Sequence, residues 1–149
     1  MNLYKVGFTL LILGACAFAD EYADRVKLIG VWQSQATGGK NGVWSIKDNG
    51  ENLHLVYTEG NEKVADFECN TVGKDCKTKV AGHDSTISLY FNGSKLVEME
   101  TRGSDILKRR FGVAAQGDQM EVDLIPISGA AKPETQQYKR VQVTAAQSH

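Results

Sequence analysis

The sequence predicts an all-β chain, an antiparallel up-and-down meander of eight or nine strands that closes into a barrel. Three observations carry that expectation. Turn-forming clusters recur at nearly even spacing: Asp48-Asn49-Gly50-Glu51, Glu59-Gly60-Asn61, Phe91-Asn92-Gly93-Ser94, Arg102-Gly103-Ser104 and Gln116-Gly117-Asp118. Between them lie runs of about five to ten residues in which apolar and polar side chains alternate. With only 2 prolines and dispersed glycines, no linker or low-complexity segment divides the chain.

Taken in order, residues 1–19 read as an export signal. Lys5 supplies the positive n-region, Val6 to Leu13 the apolar h-region, and Ala17-Phe18-Ala19 the small-x-small cleavage pattern before Asp20. The apolar stretch from Val6 to Ala19 falls short of the ~20 residues a membrane span requires, and no later segment comes near it. Leu13-Gly14-Ala15-Cys16 resembles the lipobox of bacterial lipoproteins, so lipidation of Cys16 stays open as a second route. The apolar Ala17-Phe18-Ala19 after it, where lipoproteins usually carry a polar tether, favours a soluble product. Either route predicts an exported protein, periplasmic or secreted, with membrane association only through a lipidated Cys16.

Cleavage leaves 130 residues, enough for one domain spanning 20–143 with one core, followed by a polar tail at 144–149. Loss of Lys5 takes 17 Lys and Arg to 16 against 18 Asp and Glu, a net charge of −2. No basic patch is interleaved with aromatics, so nucleic acid is not an expected partner. A helical turn is predicted near 21–27. Strands are predicted near 29–36, 43–48, 53–58, 63–69, 85–91, 95–102, 106–115, 119–127 and 134–143, with 36–43 and 70–84 as loops. Short connections imply antiparallel neighbours, and closure removes exposed edges; a two-sheet sandwich is the alternative.

Cys69 and Cys76 enclose a turn-rich loop, and in an oxidising compartment they read as one disulfide. Two Cys with no His between them are a poor metal set.

Alternation predicts an inward face made of Trp32, Trp44, Ile46, Leu53, Leu55, Tyr57, Phe67, Ile87, Leu89, Phe91, Val97, Met99, Leu107, Phe111, Val113, Met120, Val122, Leu124 and Tyr138. Lys108 and Arg110 then point outward, where Glu98 and Glu100 on one side and Glu121 and Asp123 on the other would pair with them across strands. Arg109 falls on the apolar face between Leu107 and Phe111. A buried guanidinium cannot shed its charge and needs an anion or several acceptors. Two readings stay open: an interior Arg109 that binds a ligand carboxylate, or one at the barrel mouth or turned out of phase by a bulge at Gly112.

Gly30-Val31-Trp32 on the first strand, with Tyr138-Lys139-Arg140 near the end of the last, resembles the pattern of lipocalin-like (calycin) barrels, and most nearly that of small exported bacterial lipocalin-like domains. The resemblance implies a barrel whose closed end is sealed by Trp32 with Arg140 packed across it. It implies an interior pocket but no particular substrate.

An enzyme is not expected. His54, His83 and His149 are scattered and make no metal set, and no nucleophile elbow, phosphate loop or dinucleotide fingerprint occurs. Gly38-Gly39-Lys40-Asn41-Gly42 precedes a strand rather than a helix and lacks the helix N-terminus of a phosphate site. No cofactor is implied. Two function classes remain. One is a binder of a small apolar or amphipathic ligand, lined by Trp44, Tyr57, Phe91, Met99 and Phe111 with Arg109 at an acidic head. The other is an envelope interaction or structural module with a packed interior, in which the loops at 36–43 and 70–84 make the contacts. A cavity favours the first, a packed interior the second.

Overall fold

The computed structural model describes residues 16–39 and 41–142, with residues 16–19 described in backbone only. The predicted cleavage and lipidation signals and the tail therefore lie wholly or largely outside the described residues. A helix, α1 (Cys16–Leu28), precedes ten strands. These are β1 (Gly30–Ser34), β2 (Gly42–Asn49), β3 (Asn52–Glu59), β4 (Glu62–Asn70), β5 (Cys76–Val80), β6 (His83–Asn92), β7 (Lys95–Arg102), β8 (Asp105–Val113), β9 (Gln119–Pro126) and β10 (Glu134–Arg140). Each pairs antiparallel with its sequence neighbour, and β1 pairs with β10 through Trp32↔Arg140, Gln33↔Lys139 and Ser34↔Tyr138. The sheet is thus a closed up-and-down barrel without a free edge.

The strand beyond the expected eight or nine is β5, in the stretch read as a loop. Cys76, Thr78 and Val80 do alternate with Lys77 and Lys79, but the run is short and charged. Its turn into β6 is Ala81-Gly82, both at positive φ (49° and 79°), an arrangement that favours Asn-Gly and is less legible with alanine. β5 is also weakly tied to β4. The only residue pair across that seam is Ala65↔Val80, helped by the Thr78 hydroxyl donating to the Asp66 carbonyl at 3.3 Å and the Ala81 N–H donating to the Val64 carbonyl at 2.7 Å. The Cys69–Cys76 disulfide staples the far end of this seam, with Cα atoms 5.9 Å apart.

Hairpin alternation places two sets of turns at opposite ends of the barrel. The end that carries the β2–β3, β6–β7 and β8–β9 turns is closed. There Leu28 of α1 is buried in the core, and the Arg25 guanidinium donates to Asp48 Oδ1 (2.8 Å), the Gly50 and Asn52 carbonyls (2.6 and 2.7 Å) and Thr71 Oγ1 (3.2 Å). One helical side chain so ties α1 to the β2–β3 hairpin and to the segment after β4.

Beside it, the Arg140 guanidinium lies 4.1 Å from the centroid of the Trp32 ring and donates to the carbonyls of Gly117 (2.7 Å), Ile29 (2.6 Å) and Lys27 (2.6 Å). Trp32 Nε1 in turn donates to the Leu28 carbonyl at 2.8 Å. Gly30 makes room for this: its φ is +146°, and a Cβ there would collide with Arg140 Nη1. The Gly-x-Trp spacing therefore has a steric basis in this chain. Above this seal, Ile46, Leu53, Leu55, Phe67, Ile87, Leu89, Leu96 and Met120 fill the barrel with buried apolar side chains.

The expected phase of β7 is reversed. Leu96, Glu98 and Glu100 point inward, while Met99 lies on the opposite face, and Val97, although buried, stands outside the core cluster. The β7–β8 hairpin enforces this, because closing Arg102 on Asp105 sets Leu96 opposite Phe111, Glu98 opposite Arg109 and Glu100 opposite Leu107. The outer pairing of Glu98 and Glu100 with Lys108 and Arg110 does not form. Its counterpart on β9 does: Asp123 meets Arg110 at 3.0 Å and Lys95 at 3.1 Å. No bulge occurs at Gly112, which keeps register with Glu121. The register shift falls instead between Tyr57 and Thr58 on the β3–β4 ladder.

Replacing Cys69 and Cys76 together by serine is expected to cost about 2 to 3 kcal/mol of stability in denaturant titration. Amide exchange should accelerate first in β4 and β5, because so little else joins those two strands.

Candidate ligand-binding site

Trp44 and Tyr57 face each other across the β2–β3 ladder, their rings stacked with centroids 4.6 Å apart and planes 29° from parallel. Phe111 meets Trp44 edge-on at 5.1 Å and is itself fully buried. These three aromatics end the packed part of the interior. Beside them is a cavity of about 200 Å³, bounded by Trp44, Tyr57, Val80, Val122 and Leu124 and by the charged groups Glu98 and Arg109. A more open hollow of about 560 Å³ adjoins it at the mouth and shares Tyr57, Glu59 and Gln136 with it. Gly42 permits the aromatic wall, because a Cβ there would stand 3.0 Å from Tyr57 Cε2.

Inside the barrel, Arg109 Nη1 donates to Glu98 Oε1 at 2.6 Å and to Glu100 Oε2 at 2.9 Å. Arg102 Nη2 donates to the other oxygen of Glu100 at 2.9 Å. The Ser85 hydroxyl reaches that same oxygen at 3.5 Å. The side chains of Arg109, Glu98 and Glu100 are 16%, 1% and 5% exposed, so this charge cluster is an interior feature. The anion that the buried guanidinium requires is supplied by the chain itself.

Burial pushes the Glu98 carboxyl above the ordinary carboxylate range; Arg109 pulls it down, Glu100 pushes it further up, and the upward causes prevail. For Arg109 burial favours loss of the proton, but the two carboxylates outweigh it and hold the pKa above the usual value. Glu98 Oε2 is buried and has no hydrogen-bond partner among the described residues. At the mouth the Tyr138 hydroxyl donates to Gln136 Oε1 at 2.7 Å and the Tyr57 hydroxyl to Glu59 Oε1 at 3.3 Å. Burial, then Tyr138 and Glu59, drive the Tyr57 pKa up, and burial likewise raises that of Tyr138 against hydrogen bonds from Tyr57 and Trp44.

Of the residues the sequence nominated, Arg109, Trp44 and Tyr57 border one cavity, and Phe111 lies buried against Trp44. Phe91 is elsewhere. It borders a groove between α1 and the β6–β7 turn at the closed end, with Gly93 and Ser94. Met99 is on the outer face for the reason given above. The side chains that alternation missed are Glu98, Glu59, Arg102 and Gln136. Glu98 could have been found by counting back from the Gly103-Ser104 turn, which sets it opposite Arg109. His54 stays on the outer face, its Nε2 2.7 Å from Asp66 Oδ1. Among the described residues no group of three or more His, Cys, Asp or Glu is placed to hold a metal ion, and no helix is long and apolar enough to cross a membrane.

No protein-family model matches the chain. No curated protein matches it either. Solved structures do resemble it. A fatty acid binding protein of Schistosoma mansoni in complex with arachidonic acid has a TM-score of 0.68 at 11% identity, covering 80% of this chain and 99% of that one. An abundant heat soluble (SAHS) protein of Ramazzottius varieornatus has a TM-score of 0.67 at 14% identity, covering 77% and 96%. Fatty-acid-binding protein 1 of Echinococcus granulosus has a TM-score of 0.67 at 7% identity, covering 78% and 99%. The fold is that of the lipocalin-like (calycin) barrels, in a ten-stranded form.

Arg109→Met would leave Glu98 and Glu100 buried with only Arg102 nearby, and is expected to cost about 3 to 5 kcal/mol near neutral pH. Without the guanidinium both carboxyls would titrate above their unfolded value of about 4.3 in the folded variant. The deficit relative to wild type should therefore be largest above that range and shrink as pH falls below it. Adding Glu98→Gln should recover part of the loss; chemical denaturation between pH 3.5 and 7.5 reads all three.

Proposed function

We propose that this protein is an exported binder of a small apolar or amphipathic molecule, which it takes into the open half of the barrel. The observation that carries this is the cavity between the Trp44–Tyr57 stack and the Glu98–Arg109 pair. Its enclosed part, about 200 Å³, is smaller than the roughly 300–1,000 Å³ of most ligand pockets, whereas the adjoining mouth adds a hollow of about 560 Å³. A ligand of matching shape places a short apolar portion inside and leaves the remainder in the mouth, against Tyr57, Gln136 and Tyr138. The likeness to fatty-acid-binding barrels supports binding of an apolar compound in this fold. Export rests on the leader sequence alone: Lys5, the apolar run from Val6 and Ala17-Phe18-Ala19.

Native mass spectrometry of the mature protein, isolated from its host's envelope or secreted fraction, tests both parts. The expected result is a chain beginning at Asp20, part of it carrying a small-molecule mass that is absent from Tyr57→Ala. A protein that is always empty and takes up none of a panel of small apolar compounds would contradict the binding part. A diacylglycerol-sized increment on a chain beginning at Cys16 would replace the soluble product with a lipoprotein.

A further inference from the structure

The cavity wall contains a carboxyl group with one oxygen spoken for and one not. Glu98 accepts from Arg109 through Oε1, while Oε2 is buried without a partner among the described residues, on a side chain only 1% exposed that borders the cavity. A buried acceptor left unmatched is costly, so a donor that fills the cavity is favoured. The guanidinium is in the opposite condition, since Arg109 already meets two carboxylates, at 2.6 and 2.9 Å. An incoming carboxylate would have to compete with both and would enter next to two like charges. We propose, resting on the binder reading above, that the ligand's polar end is a hydrogen-bond-donating cation, a protonated amine on a short apolar body, and that it docks on Glu98.

The surroundings fit a single positive charge. The charged and titratable groups around Glu98 and its cavity are Arg109 from β8, Glu100 and Arg102 from β7, and Tyr57 and Glu59 from β3. The β4, β5 and β9 strands contribute only Val64, Ala65, Val80, Val122 and Leu124 to this wall. Three carboxylates face two guanidiniums, so an ammonium balances the set whereas a further anion unbalances it. Burial holds the empty-site Glu98 toward its protonated form. Docking an ammonium as an ion pair therefore requires Glu98 to give up that proton. The amine donates N–H to Oε2, the proton leaves to solvent, and no other bond changes. Affinity should then rise with pH through the Glu98 titration and level off above it, while an alkylamine with an ordinary amine pKa near about 10 stays charged throughout.

The test uses the full mature chain and three probes of equal chain length, octylamine, 1-octanol and octanoate. Binding is followed by Trp44 fluorescence, with Trp44→Phe to identify the signal against Trp32, and by calorimetry in two buffers of different ionisation enthalpy. Octylamine is expected to bind at least about tenfold more tightly than octanoate, a difference of one decade in Kd. It should also release a proton on binding at the lower end of the pH range. Glu98→Gln should bring octylamine and octanol to within about threefold of each other, less than half a decade in Kd. Octanoate binding as tightly as octylamine, or Glu98→Gln weakening all three probes alike, overturns the head-group assignment and leaves the binder reading standing. If none of the three binds at any pH, the binder reading falls and the assignment falls with it.

Discussion

A positive charge that cannot be discharged sits inside this barrel, and the layout of the interior follows from it. Arg109 projects from β8 between Leu107 and Phe111, on the face that packs the core. Removing a guanidinium from water is tolerable only with acceptors at hand, and Glu98 and Glu100 on the adjoining strand provide them. Once three charged side chains share an interior, apolar groups cannot be packed across all of them without stranding polar atoms. The half of the barrel around Arg109 is accordingly hollow, and the other half is filled. The boundary is the aromatic group Trp44, Tyr57 and Phe111, which presents ring faces to the cavity and hydrocarbon to the core.

The filled half is rigidified at its end by a second cation used differently. Arg140, on the last strand, covers the Trp32 ring on the first and donates to three backbone carbonyls, two of them at the junction of α1 and β1. Barrel closure and attachment of the helix thus depend on the same side chain. Contacts of this kind join residues more than 100 positions apart, and they fix the floor on which the cavity rests. By contrast, the β4–β5 seam holds through one residue pair and a disulfide. Stability is expected to be uneven around the barrel, high at the β1–β10 closure and lower at that seam.

Much of this was legible in the sequence because short-range physics dictates it. Turns at Asn49-Gly50, Asn92-Gly93 and Gly103-Ser104 need positive φ, and the strands between them show their alternation openly. The order of strands and the closed meander follow from short connections. The inward phase of β8 was read correctly for Leu107, Arg109 and Phe111. The phase of β7 was not, because Leu96 and Val97 are adjacent apolar residues and counting hydrophobes favours Val97 with Met99. Glutamates look like surface residues until the hairpin register sets one of them opposite Arg109. The interior charge cluster is therefore a long-range fact encoded in a turn, and alternation within one strand cannot reveal it. Phe91 failed differently: its phase was inward, but its height along the barrel put it at the closed end, and height depends on strand stagger.

The account stands on the burial of the Glu98–Arg109–Glu100 cluster, and Glu98 reports on it most directly. A carbon-13 NMR titration of the Glu98 side-chain carboxyl, assigned with Glu98→Gln, would measure its ionisation in the intact protein. The account predicts a midpoint above the ordinary carboxylate value of about 4.3, because burial outweighs the pull of Arg109. A midpoint at or below that value would mean that Glu98 is solvated or wholly neutralised, and the hollow half of the barrel could not be the polar, water-poor site described.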